Sequence, residues 1–61
     1  MNKVNQREVT TAYQYASLGM LDTAAKTLSA CIRSSMRQSD INELRAVAAD
    51  IGVSKHPDFI C

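Results

Sequence analysis

The stretch AYQYASLGMLDTAAKTLSAC, Ala12–Cys31, decides the fold, because one glycine separates two segments that each carry apolar residues at helical spacing. Upstream, Val9, Ala12, Tyr13, Ala16 and Met20 repeat at intervals of three and four with Tyr15 flanking them, while Arg7, Glu8, Thr10, Thr11, Gln14 and Ser17 occupy the other side. Downstream, Leu21, Ala24, Ala25, Leu28, Cys31, Ile32, Ser35 and Met36 form the clearest stripe in the chain. Gly19 suits the left-handed conformation that closes a helix. The pattern predicts an antiparallel helical hairpin.

Working outward, Asn5 followed by Glu8 reads as a capping box, which starts the first helix near residue 6 after a loose Met1–Val4 and ends it near Leu18. Asp22 is the expected cap of a second helix beginning near Leu21 or Asp22. Ser34, Ser35, Gln38 and Ser39 weaken helix propensity, and Asp40 with Glu43 is a second capping box, so a break is expected at residues 37–40. A short third helix then runs from Ile41 to Ile51, with Leu44, Val47 and Ala48 on its apolar face and Gly52 closing it. Val53 is placed to pack back, His56-Pro57 to impose an extended path, and Phe59-Ile60 to dock as an apolar hook. The fold class is all-α, as one domain over residues 1–61.

A chain of 61 residues is at the size where a lone hydrophobic core is marginal. Of its 46% apolar residues alanine supplies many, and one Phe, two Tyr and no Trp leave few large side chains. Burial is therefore expected to be completed by dimerisation or higher homo-oligomerisation, with Leu28, Ile32, Met36, Leu44 and Phe59 as the contact residues. The net charge of +1 gives no strong overall attraction to nucleic acid or anionic lipid. The absence of a secretion signal and of a run of about 20 apolar residues points to a cytoplasmic protein without membrane contact. Cys31 then reads as a reduced core residue and Cys61 as an unpaired terminal thiol.

Three constellations bear on function. Ala12, Tyr15, Gly19, Ala24, Leu28 and Cys31 resemble one tetratricopeptide unit, although Thr11 stands where a large apolar residue belongs and no proline follows the second helix. One copy cannot bury a solenoid core, so the pattern is read as helical-hairpin physics. The same two helices also admit a helix-turn-helix, with Lys26, Arg33 and Arg37 as a stripe of possible nucleic-acid contacts. Asp22 at the start of the second helix opposes phosphate there, and a DNA-binding regulator is kept as the alternative. His56, Asp58 and Cys61 are the one cluster of potential ligands or proton carriers. They lack the paired spacing of a zinc site, so no metal, cofactor or catalytic residue is assigned. A chain this small with an alanine-rich core is expected to leave little room for a pocket of the usual several hundred cubic ångströms, and the protein is read as non-enzymatic.

The span from Tyr13-Gln14-Tyr15 through Gly19-Met20-Leu21-Asp22 to Cys31-Ile32-Arg33 resembles the small accessory proteins encoded between the exonuclease and excisionase genes of lambdoid temperate bacteriophages. That resemblance implies a small helical regulatory protein made early in infection. It would act in the host cytoplasm through a host or phage protein partner, on the lytic or lysogenic decision or on host growth.

Overall fold

The computed structural model describes residues 2–60 and contains three helices, α1 (Lys3–Ser17), α2 (Leu21–Ser34) and α3 (Gln38–Ile51). Its radius of gyration is 10.1 Å, against about 10.5 Å expected for a compact chain of this length. The accessible surface of 4027 Å² likewise matches the roughly 3,900 Å² typical of a folded monomer of this mass.

The α1–α2 turn forms as its glycine dictates. Gly19 has φ +80°, its N–H donates to Ala16 O at 3.0 Å, and Met20 N–H reaches back to Tyr15 O at 2.9 Å. This pair of bonds satisfies the carbonyls that the end of a helix leaves open. Gly52 repeats the device at the end of α3, with φ +83° and Val53 N–H bonded to Ala48 O at 2.8 Å.

The core lies around α2, which α1, α3 and the C-terminal tail cover from three sides. Ala12, Ala24, Ala25 and Ala48 are fully buried and let the helices approach closely, while Leu28, Leu44 and Val53 supply the bulk. Phe59 is buried and Ile60 packs on the same cluster, so the hook docks on the chain's own helices. Ser29 fastens it: its hydroxyl accepts from Ile60 N–H at 2.9 Å and lies 2.8 Å from Ala25 O and 3.2 Å from Asp58 O. With one proton to give, the hydroxyl favours the shorter contact, to Ala25.

Several expectations are corrected. The cap of α1 is Asn2, whose side chain accepts the Asn5 N–H at 2.8 Å, so the helix begins one turn earlier and Asn5 is buried inside it. Two asparagines three residues apart compete for the role, and the earlier one wins because it leaves Asn5 free to pair with α2. Asp22 makes no capping hydrogen bond; it occupies the first turn of a helix whose flanking residue is Met20, where its charge still favours the positive end. The break falls at residues 35–37, Ser35 being extended, so α3 starts at Gln38 and Asp40 is buried in its first turn instead of capping it. Ser35 and Met36 thus leave the α2 stripe. Tyr13 and Met20 are exposed, since Tyr13 faces past the core toward the end of α3. Pro57 occupies the second position of a turn closed by Phe59 N–H to His56 O at 3.0 Å, preceded by a turn from Val53 to His56, so the tail folds back where an extended path was expected.

Candidate functional site: a polar cleft and two apolar ends

Antiparallel packing of α1 on α2 brings the start of α1 beside the end of α2, and the break at residues 35–37 turns α3 out of the same place. The three helix ends enclose an open cleft of about 580 Å³ lined by Asn2, Val4, Asn5, Ser34, Ser35, Met36, Arg37 and Asp40. A volume of several hundred cubic ångströms was not expected from so alanine-rich a chain. It exists because the alanines sit between α1 and α2, whereas the cleft lies beyond the helix ends.

Its floor is a chain of hydrogen bonds. Asn5 Nδ2 donates to Ser35 Oγ at 3.2 Å, and Ser35 Oγ donates to the Cys31 carbonyl at 2.7 Å, which Ser34 Oγ also reaches at 3.1 Å. The last turn of α2 is thereby satisfied by hydroxyls instead of by a glycine. Because both serine protons go to a backbone carbonyl, neither hydroxyl is set against a base in the way a nucleophile is. Cys31 borders the neighbouring shallow groove with Val4, Glu8, Ala30 and Ser34; burial first, and then the charge of Glu8, push its thiol above the usual value. A raised thiol is a poor nucleophile.

The rim is apolar. Met36 is 98% exposed and Val4 68% exposed. At the far end of the hairpin the α1–α2 turn presents Leu18, 73% exposed, with Met20 and Leu21 beside it. Sequence periodicity assigned Met20 and Leu21 to buried stripes and overlooked Leu18 and Val4. A signal was present: Leu18-Gly19-Met20-Leu21 puts three large apolar side chains into a tight turn that needs none of them.

The proposed contact residues divide sharply. Leu28, Ile32, Leu44 and Phe59 are buried within the chain itself, so they are not available to a partner, and Met36 alone of the five is on the surface. Burial that the sequence reading assigned to a second subunit is supplied by α3 and the tail. Lys26 and Arg33 are exposed on the outer strip of α2, but Arg37 stands beyond the helix end at the mouth of the cleft, so the three are not one continuous helical stripe. His56 and Asp58 serve the tail turn: His56 Nδ1 accepts the Asp58 N–H at 3.1 Å and lies 3.9 Å from its carboxylate. Cys61 lies outside the described residues. Among those described, no group of three His, Cys, Asp or Glu side chains is placed to hold a metal ion, and no helix is long and apolar enough to cross a membrane.

Comparison of the chain with protein families, with curated proteins and with solved structures gave no match.

Proposed function

We propose that this protein is a non-catalytic regulatory or accessory protein that works through protein–protein contacts made by its two apolar ends. The observation that carries the reading is the exposure of Leu18, Met20 and Leu21 at one end and of Val4 and Met36 at the other, while Leu28, Ile32, Leu44, Val53, Phe59 and the buried alanines are gathered into the core. Exposed apolar clusters rimmed by polar groups mark contact surfaces. The family resemblance of the sequence extends the proposal to a bacteriophage early protein, acting in the host cytoplasm on the lytic or lysogenic decision or on host growth.

The alternative, a small DNA-binding regulator, draws on the exposure of Lys26, Arg33 and Arg37. A recognition helix needs an open face to enter a groove, and α2 is the most enclosed of the three helices, with six buried residues, Ala24, Ala25, Leu28, Ser29, Cys31 and Ile32. Protein contact is therefore preferred. Affinity capture from bacterial lysate, with and without nuclease, decides between the readings. Capture that survives nuclease, survives replacement of Lys26, Arg33 and Arg37 by Gln, and is lost in Leu18→Glu or Met36→Glu is the expected result. Retention that nuclease or the triple replacement abolishes would establish the DNA-binding alternative.

A further inference from the structure

We propose that residues 56–60 form a strap that swings off α2 about Ser54 and Lys55 while the three helices stay folded. The middle of α2 is thereby covered or bared by one local motion. The inference makes no use of the two apolar ends.

The segment is built to move as one piece. Residues 53–60 form turns and no helix. Phe59 N–H donates to His56 O at 3.0 Å and Asp58 N–H to His56 Nδ1 at 3.1 Å, while the ring of Pro57 fixes its own φ. These bonds lie inside the segment, so they survive its departure from α2.

The hinge is placed by what precedes it. Val53 is fully buried and its N–H is bonded to Ala48 O at 2.8 Å, so it stays with α3. Ser54 and Lys55 follow it, both exposed, and the backbone bond from His56 N–H to Val53 O at 2.9 Å spans them. Opening exchanges that bond for bonds to water, a trade of small net cost.

The seat on α2 is vacated without orphaning a polar group. Ile60 N–H donates to Ser29 Oγ at 2.9 Å, and Phe59 is inserted with 5% of its surface exposed. Ser29 directs its own proton to Ala25 O, 2.8 Å away in the same helix, so its hydroxyl keeps that partner when the strap leaves. Ala12, Ala24, Leu28, Leu44 and Ala48, all fully buried, belong to the helices themselves. Opening therefore costs the burial of Phe59 and part of Ile60, and leaves the three-helix core in place. Closed, the strap withholds an apolar surface; open, it presents Phe59 and the strip of α2 around Ser29.

Amide hydrogen exchange on the full chain, followed by NMR in rising sub-denaturing urea, tests the proposal. The hydrogen bond of the Ile60 amide forms only when the strap is closed. That amide is expected to be at least about tenfold less protected than those of Leu28 and Ile32, with little dependence on urea because the opening bares little surface. Equal protection and equal urea dependence at all three would mean that the strap leaves only when the whole chain unfolds, and would overturn the proposal. Phe59→Ala supplies a second reading. It is expected to remove the protection of Ile60 and shift the resonances of residues 56–60, while circular dichroism keeps the parent helix signal and Leu28 and Ile32 stay protected. Loss of helix content in that variant would make Phe59 part of what holds the helices together, and would equally overturn the strap, as would parent-like protection of Ile60.

Discussion

The two ends of α2 are both sharp reversals, and they are built by different physics. At its start the backbone closes the turn: Gly19 takes φ +80°, the Ala16 and Tyr15 carbonyls are met by the Gly19 and Met20 N–H groups, and the one side-chain contribution is local, the Ser17 hydroxyl donating to Gln14 O at 2.7 Å. At its end the reversal contains no glycine, and the side chains of Ser34 and Ser35 satisfy the last turn while Asn5 reaches across from α1 to hold Ser35. A turn made by one residue's conformational freedom can be read locally. One held by a residue thirty positions away cannot.

The glycine turn should be the more sensitive of the two, and chirality isolates the cause. A Cβ added at Gly19 meets nothing within 4 Å, so any cost of Gly19→Ala comes from the backbone alone. The expected loss is about 1–2 kcal/mol, more for Gly19→Val, and D-alanine at the same position should restore the parent stability. Thermal melts of the three variants measure it. Equal melting temperatures for L- and D-alanine would remove the distinction between the ends.

A smaller effect is expected at the side-chain turn, where coupling is the signature. Asn5→Ala and Ser35→Ala should each destabilise by about 1 kcal/mol, and the double variant by less than the sum, with a coupling of roughly 0.5–1.5 kcal/mol. Urea unfolding of the four chains supplies the cycle. Strict additivity would mean that the break forms without Asn5, and the contrast would then lie between glycine and serine instead of between local and long-range control.

The smallest effect belongs to the bridge that ties the ends of α1 and α3 together. Donation of the Tyr13 hydroxyl to Asp50 holds the phenol above its usual 10.0, with burial and the carboxylate charge acting in the same direction. The raised value means that the folded state holds the proton more tightly, so the contribution is complete below about pH 10 and is lost as pH rises through the folded value. Because the pair is exposed, Tyr13→Phe should change the melting temperature little at neutral pH. Ultraviolet titration should show one tyrosine ionising later in the parent than in Asp50→Asn. Unchanged titration would place the end of α3 apart from α1.

Periodicity and glycine placement alone determined the all-α class, the hairpin across Gly19, the closing role of Gly52, and the return of Val53 to the core. Each of those follows from spacing or from one residue's own backbone preference, which act within a few positions of chain. Tertiary structure decided the rest. Asn2 outcompeted Asn5 as the cap of α1 because Asn5 found Ser35, and Asp40 became a buried residue of the first turn because the chain broke at residues 35–37 instead of 37–40. Leu28, Ile32, Leu44 and Phe59, assigned from sequence to a second subunit, went to the chain's own core, because a tail fastened by Ser29 and a third helix lay close enough to cover α2. Apolar character is written in the sequence, but whether a given apolar face meets its own chain or stays on the surface depends on which segments reach it first in space. Leu18 and Met36 were left outside for that reason, at opposite ends where no further part of the described chain extends to cover them.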